Sequence, residues 1–196
     1  MHPTRVVLFL VLTLFACTSA LAQRPGPEFW RKVGCEPFEP RTKLEALEDR
    51  HGIVIIKAFT RITTIEVRGV RIDAVDMREI NGAGRARGIV VSLDKEGGRV
   101  EDNRAFVDYE EIEPLLNAID AMVRVDETTT RMPGFEARYT TLGDLEIGVF
   151  RQTRSGTAVL LATGICDRAT QTMTLDDLAK VKAMIQEAKT RLDENR

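Results

Sequence analysis

Histidine, serine and cysteine are scarce in this chain, and each scarcity closes off a chemistry. Of the 2 histidines among 196 residues, His2 lies at the very start and only His51 stands in the body, so a Ser-His-Asp or Cys-His mechanism would have to run through His51. That residue sits between Arg50 and Gly52, where a short helix is expected to end, and an imidazole facing terminal carbonyls is the simpler reading. Beyond the first residues, serine nucleophiles are limited to Ser92 and Ser155, and neither lies in a Gly-x-Ser-x-Gly turn. Beyond the first 22 residues one histidine and the two distant cysteines Cys35 and Cys166 cannot supply the four clustered ligands of a zinc site. No cofactor signature is present, and no basic excess accompanies the net charge of −2, so bulk composition gives no support for binding nucleic acid. Arginine outnumbers lysine 21 to 7, a bias we assign to codon usage rather than to phosphate recognition.

What is present is concentrated first in residues 1–22. Arg5 precedes the apolar run Val6 to Ala16, which leads to Ser19-Ala20-Leu21-Ala22; this is the tripartite pattern of a cleavable secretory signal. A run of about eleven residues falls well short of the roughly 20 that span a bilayer, and no later stretch reaches that length. The expectation is cleavage after Ala22 and a secreted or periplasmic chain without a transmembrane segment. An alternative is a lipid anchor, because Leu14-Phe15-Ala16-Cys17 resembles a bacterial lipoprotein processing site that would leave Cys17 lipidated. In an exported chain Cys35 and Cys166 are expected to form a disulfide, worth on the order of 5 kcal/mol in the chain-entropy account.

Residues 23–52 read as a proline-rich arm and a short helix, the arm carrying Phe29, Trp30 and Phe38 and the helix opening on the capping box Thr42-Lys43-Leu44-Glu45. From residue 53 to 196 a single α+β domain is expected. Its strand signals are the apolar run Ile53 to Phe59, the β-branched stretch Ile62 to Val67, and the alternation of Val70, Ile72 and Ala74 with charged residues, which slips before Met77 as if at a bulge. Asn81-Gly82 marks a hairpin, and Ile89 to Leu93 and Ala105 to Val107 continue the sheet. A helix then opens at Asp108, with Glu111 three residues on, and is expected to bury Ile112, Leu115, Leu116, Ile119, Met122 and Val123 at helical spacing. Pro114 predicts a kink or a later start.

The order recurs. Phe135 to Tyr139, Leu145 to Val149, Thr157 to Thr163 and a last strand ending at Met173 precede a helix from Thr174 that presents Leu178, Val181, Ile185, Ala188 and Leu192. Two similar halves, about 57–124 and 134–192, each read as four strands and a helix, and packing them into one core is the economical way to bury two one-sided sheets. An eight-strand barrel with a C-terminal helix is the alternative. The doubled order resembles that of the Whirly and PUR-type single-stranded nucleic-acid binders, in element order alone. What that resemblance implies is a fold and, at one remove, binding of single strands.

Several residue groups invite a functional reading. Gly82-Ala83-Gly84-Arg85-Ala86-Arg87-Gly88 looks like a phosphate loop but opens no helix, so it reads as a mobile hairpin tip whose Arg85 and Arg87 would meet an acidic surface if they bind anything. Asp94, Glu96, Glu101, Asp102 and Asn103 ring a glycine turn without the spacing of a calcium loop. Glu110-Glu111 and Asp176-Asp177 fall at helix starts, where acids complement the dipole. Arg71, Asp73, Glu136 and Arg138 suit cross-strand ion pairs. The sequence therefore points to an exported, non-catalytic binding or structural module with an unidentified protein or envelope partner and no nucleic acid. The alternatives are a carboxylate-dependent hydrolase and a single-strand binder. Mass spectrometry of the exported protein without reductant checks the address: the expected mass is that of residues 23–196 less two hydrogens for the Cys35 to Cys166 bond, and an intact Met1 overturns it.

Overall fold

A computed structural model describes residues 39–94, 103–125, 129–152, 156–164 and 168–195, all within one unit, Pro37–Arg196. The leader, most of the arm, Cys35, Cys166, Ser155 and most of the acidic turn lie outside the described residues. The chain is α+β. After helix α1 (Lys43–Glu48) come strands β1 (Ile55–Arg61), β2 (Val70–Glu79), β3 (Arg85–Leu93) and β4 (Arg104–Asp108), then α2 (Tyr109–Val123). Strands β5 (Phe135–Thr140), β6 (Glu146–Gln152), β7 (Gly156–Thr163) and β8 (Ala169–Met173) follow, and α3 (Leu175–Glu194) closes the order. The strands form two antiparallel meanders, sheet A in the order β1-β2-β3-β4 and sheet B in the order β5-β6-β7-β8. Among the described residues no closed barrel forms.

One interior serves both sheets. Ile72, Ile89 and Val91 of sheet A, Ile147, Val149 and Leu161 of sheet B, and the buried faces of α2 and α3 belong to the same hydrophobic cluster. The last helix crosses to the first half: α3 packs chiefly on β2, α2 and β3, while α2 touches β3 and β4 of its own half as well as β5 and β6. Leu178, Val181, Ile185 and Leu192 are each almost fully buried there, at about 1.5–3 kcal/mol per side chain of that size. Packing, rather than propensity, holds these helices.

Sheet A is apolar on its opposite face too. Leu44 and Leu47 of α1 lie on Val75, Met77, Ala86, Val90 and Phe106, a second and smaller core. This explains the slip in alternation at Ala74 to Met77. No bulge occurs there, because β2 keeps an unbroken register with β3 from Val70↔Leu93 to Arg78↔Arg85. Ala74 faces one core and Val75 and Met77 face the other. The stretch from Ile62 to Val67 is likewise not a strand of its own: β1 ends at Arg61, and Ile62 and Val67 fold into the main core from the β1–β2 connection.

Of the three N-caps, two act on their own helix and one does not. Thr42 and Glu45 form the expected capping box on α1, and Thr174 caps α3 through the Asp177 amide at 3.1 Å. Asp108, the N-cap residue of α2, makes no side-chain bond to its own helix. Its buried carboxylate instead accepts the amides of Lys43 at 2.7 Å and Leu44 at 3.2 Å, tying the first turn of α1 to the end of β4. Glu111 turns away to accept the amide of Leu142 at 2.9 Å. Pro114 stays inside α2, which starts at Tyr109 directly after its cap.

The second half is joined to the edge of β4 by an isolated bridge between Phe106 and Gly143. A Cβ on Gly143 would lie 2.0 Å from the Phe106 carbonyl oxygen, too close for any side chain. Gly143→Ala is expected to lower stability in urea unfolding by about 1–3 kcal/mol, the usual cost of overpacking, or more where the backbone cannot shift.

Candidate functional site

The sequence of β1, Ile55 to Arg61, sends Lys57, Phe59 and Arg61 to one side of sheet A, in line with Met77, Val75 and Asp73 of β2. α1 covers that side around Met77, Ala86 and Phe106 and against one flank of Val75 and Val90. The remainder is an open groove of about 290 Å³. Its charged lining comprises Lys57, Arg61, Arg71 and Arg104 with one acid, Asp73, and its apolar floor comprises Phe59, Val75 and Val90. Four cations from three strands thus converge on one surface of a chain whose net charge is −2.

These cations are held by exposed ion pairs. Arg61 makes a two-pronged bond to Asp73 at 2.9 and 3.1 Å, Lys57 and Arg104 reach Glu48 at 2.9 and 2.8 Å, and Arg71 reaches Asp94 at 3.4 Å. Exposed pairs of this kind contribute about 0–1 kcal/mol each, so an incoming anion competes for the cations at little cost. The guanidinium of Arg104 also lies 4.9 Å from the centre of the Phe106 ring and the ammonium of Lys57 lies 5.8 Å from it. Phe59 is 63% exposed, a large aromatic left open between cations.

A second groove of about 290 Å³ lies on the opposite side of the same strand, between sheet A and the end of α3. Asp76, Arg78, Arg87 and Arg191 line it, and Phe59 at the sheet edge borders both grooves. Arg85 and Arg87 prove to be strand residues rather than a hairpin tip, because β3 begins at Arg85 and pairs from there with β2. Asp76 supplies the reason. Its carboxylate takes Arg85 at 2.9 Å and Arg78 at 2.8 Å, which fastens the start of β3. Burial pushes the Asp76 carboxyl up, but the bonds and charges of Arg85 and Arg78 outweigh it and hold it at about 2. Arg87 stacks on Tyr109 at 5.3 Å, and its Nε and Nη2 are buried with no hydrogen-bond partner. The loop expectation thus separates the two arginines' roles: one is neutralised, the other retains unused donors.

The other candidates are engaged locally. Glu110 bonds Lys43 at 2.6 Å. Burial raises the Glu111 carboxyl, and burial followed by the charge of Glu111 raises the Tyr139 hydroxyl. Asp177 is lowered first by its bond from Lys180 and then by that from Thr174. Arg71 and Asp73 pair with Asp94 and Arg61 rather than with each other, and Arg138 bridges Glu136 and Glu146. Asn103, at the rim of the acidic turn, is fully buried, with both side-chain polar atoms unpartnered and its carbonyl bonded by Thr163 at 2.8 Å. Among the described residues no group of three or more histidines, cysteines or acids is placed to hold a metal ion, and no helix is long and apolar enough to cross a membrane.

Sequence reasoning passed over Lys57, Phe59, Arg61 and Arg104. The signal for the first three was available, since alternate residues of one strand share a face; Arg104 joins them only through the β3–β4 register. No family model matches this chain, and no curated protein or solved structure matches it, so the resemblance in element order to the Whirly and PUR-type proteins gains nothing from comparison.

The acid limb of stability reports on the second groove. A carboxyl held at about 2, against 3.8 when free, contributes stability above the free value that is lost as pH falls from about 4 through 2. Asp76→Asn is expected to cost about 1 kcal/mol at pH 7, the linkage value discounted for exposed arginines. It should also flatten the stability profile between pH 4 and 2, as read by urea midpoints at each pH.

Proposed function

We propose that this protein is an exported, non-catalytic binding module that takes an anionic ligand, bearing an apolar or planar portion, on the outer groove of sheet A. The observation carrying this reading is the convergence of Lys57, Arg61, Arg71 and Arg104 around the open Phe59. Cations held in exchangeable pairs supply charge, and the ring supplies a face for stacking or apolar contact. Export, cleavage after Ala22 and the Cys35 to Cys166 bond belong to the same proposal.

The rival hydrolase needs two carboxylates facing each other across a cleft. Each groove is lined by a single acid, Asp73 in one and Asp76 in the other. Asp73 is engaged by Arg61, and Asp76, held at about 2, is far too acidic to protonate a leaving group near neutral pH. The single-strand reading draws on one observation, the open aromatic among cations on a sheet face, which is how sequence-tolerant binders stack bases. It shares the groove with our proposal and differs in the ligand.

Fluorescence anisotropy with a labelled sulfated oligosaccharide and a labelled oligothymidylate, at low and moderate salt, tests the site. At least one probe is expected to bind, with affinity falling as salt rises. Arg71→Glu is expected to weaken it by about tenfold, one charge reversal at a partly screened site being worth about 1.4 kcal/mol. Thymidylate binding alone would transfer the site to the single-strand reading. No binding of either probe, or binding indifferent to Arg71→Glu, overturns the assignment of the groove.

A further inference from the structure

β1 is an edge strand, and among the described residues only β2 pairs with it. Its side chains are exposed from Ile56 to Arg61, including Ile56 at 54% and Phe59 at 63%, with Val54 and Ile80 exposed beside its start. Of the devices that commonly blunt an edge it has neither proline nor bulge but does carry two cations, Lys57 and Arg61, which select among pairing registers. The hydrogen bonds at its ends show which backbone groups are used. Ile80 donates to the carbonyl of Val54, and Ile62 donates to the carbonyl of Ile72. In an antiparallel ladder a residue turns both its N–H and C=O to one side, and its neighbours turn theirs to the other. Even-numbered residues therefore face β2, and Ile55, Lys57, Phe59 and Arg61 aim N–H and C=O at the open edge.

We infer that this edge pairs with β1 of a second copy of the chain, antiparallel about a two-fold axis at Ala58, making one continuous eight-stranded sheet. The register follows from length and charge together. Centring the axis on Ala58 pairs the whole of β1 with itself. Lys57 then stands opposite Phe59 of the other copy, and Arg61 opposite Ile55, so each cation meets an uncharged side chain and Lys57 lies against an aromatic ring. Moving the axis one residue back sets Lys57 against Lys57. Moving it one residue forward sets Lys57 against Arg61 twice. Larger shifts leave fewer residues paired. The two cations thus act against wrong registers, while Ala58 at the axis is small enough for the close approach of a non-hydrogen-bonded pair. Both grooves border this strand at Phe59, so the outer grooves of two copies would meet across the seam.

Sedimentation velocity on the full chain, with Phe59→Lys, Phe59→Glu and Ala58→Cys, tests the inference, and melting curves check that each variant folds. The native chain is expected to be a dimer. Phe59→Lys sets like charges opposite Lys57 at two symmetric places and should weaken the dimer by about tenfold or more. Phe59→Glu sets opposite charges there and should retain it. Ala58→Cys should crosslink on mild oxidation, with a tryptic product in which the introduced thiols of the two copies are joined to each other. A monomeric native chain overturns the inference, including a monomer whose β1 amides resist hydrogen exchange because another segment of the chain covers them. A dimer that responds alike to Phe59→Lys and Phe59→Glu, or whose Ala58→Cys variant gives no such symmetric crosslink, overturns the register and with it the proposed seam.

Discussion

The middle of sheet A must be kept dry on both sides, and the remaining architecture answers to that demand. β2 and β3 carry apolar residues on each face, with Ile72 and Ile89 turned one way and Val75, Met77 and Val90 the other. α2 and α3 satisfy the first face and α1 the second. α1 is six residues long, too short to persist by its own hydrogen bonds, and it stays in place through Leu44 and Leu47 and through the Asp108 carboxylate that receives its leading amides. Cover thins at β1. α3 reaches that strand only at its own end, the side chains from Ile56 to Arg61 stay exposed, and both grooves border it, so the placement of the candidate site follows from where the cover thins.

This division of the sheet into covered and bare parts also explains how the charges are arranged. Where an acid is shielded and flanked by arginines, as at Asp76, it is fixed strongly and serves to anchor a hairpin. Where pairs lie open, as between Lys57, Arg104 and Glu48, they hold the cations in position without consuming them. Arg87 stands between these cases, packed on an aromatic ring yet with donors unspent. The first kind of pair builds the sheet, and the second leaves charge available at its surface.

Local patterns in the sequence were sufficient for element type and order. The capping box at Thr42, the helix start at Thr174, the turn at Asn81-Gly82, the helical spacing from Ile112 to Met122 and the alternation from Phe135 to Tyr139 all correspond to elements at those places, whereas Val123, expected on the same buried helix face, is exposed at the last turn of α2. Failures arose where one residue answers to partners distant in sequence. The slip at Ala74 to Met77 looked like a bulge because nothing nearby announces that α1 will cover a second face. Arg85 and Arg87 looked like a loop tip because glycines flank them, whereas Asp76, nine residues before Arg85, fastens Arg85 to the ladder and Arg87 follows in register with β2. The groove was hidden for the same reason: Arg71 and Arg104 share it through strand register alone, and neither carries a local signature. Asp108 was assigned to the helix it precedes, since the contact with α1 lies more than sixty residues away.

The crossing of α3 to the first sheet has a consequence for the making of the protein. The side of β2 that faces the main core is covered by α3, a segment synthesised about a hundred residues after it. As the polypeptide emerges in order, its first meander spends that interval with an unroofed apolar surface, and the topology is one of widely separated contacts, which fold slowly. A chain built in this way benefits from being kept unfolded until its last helix is in hand, and a premature stop anywhere before α3 would leave the first sheet without the chief cover of β2.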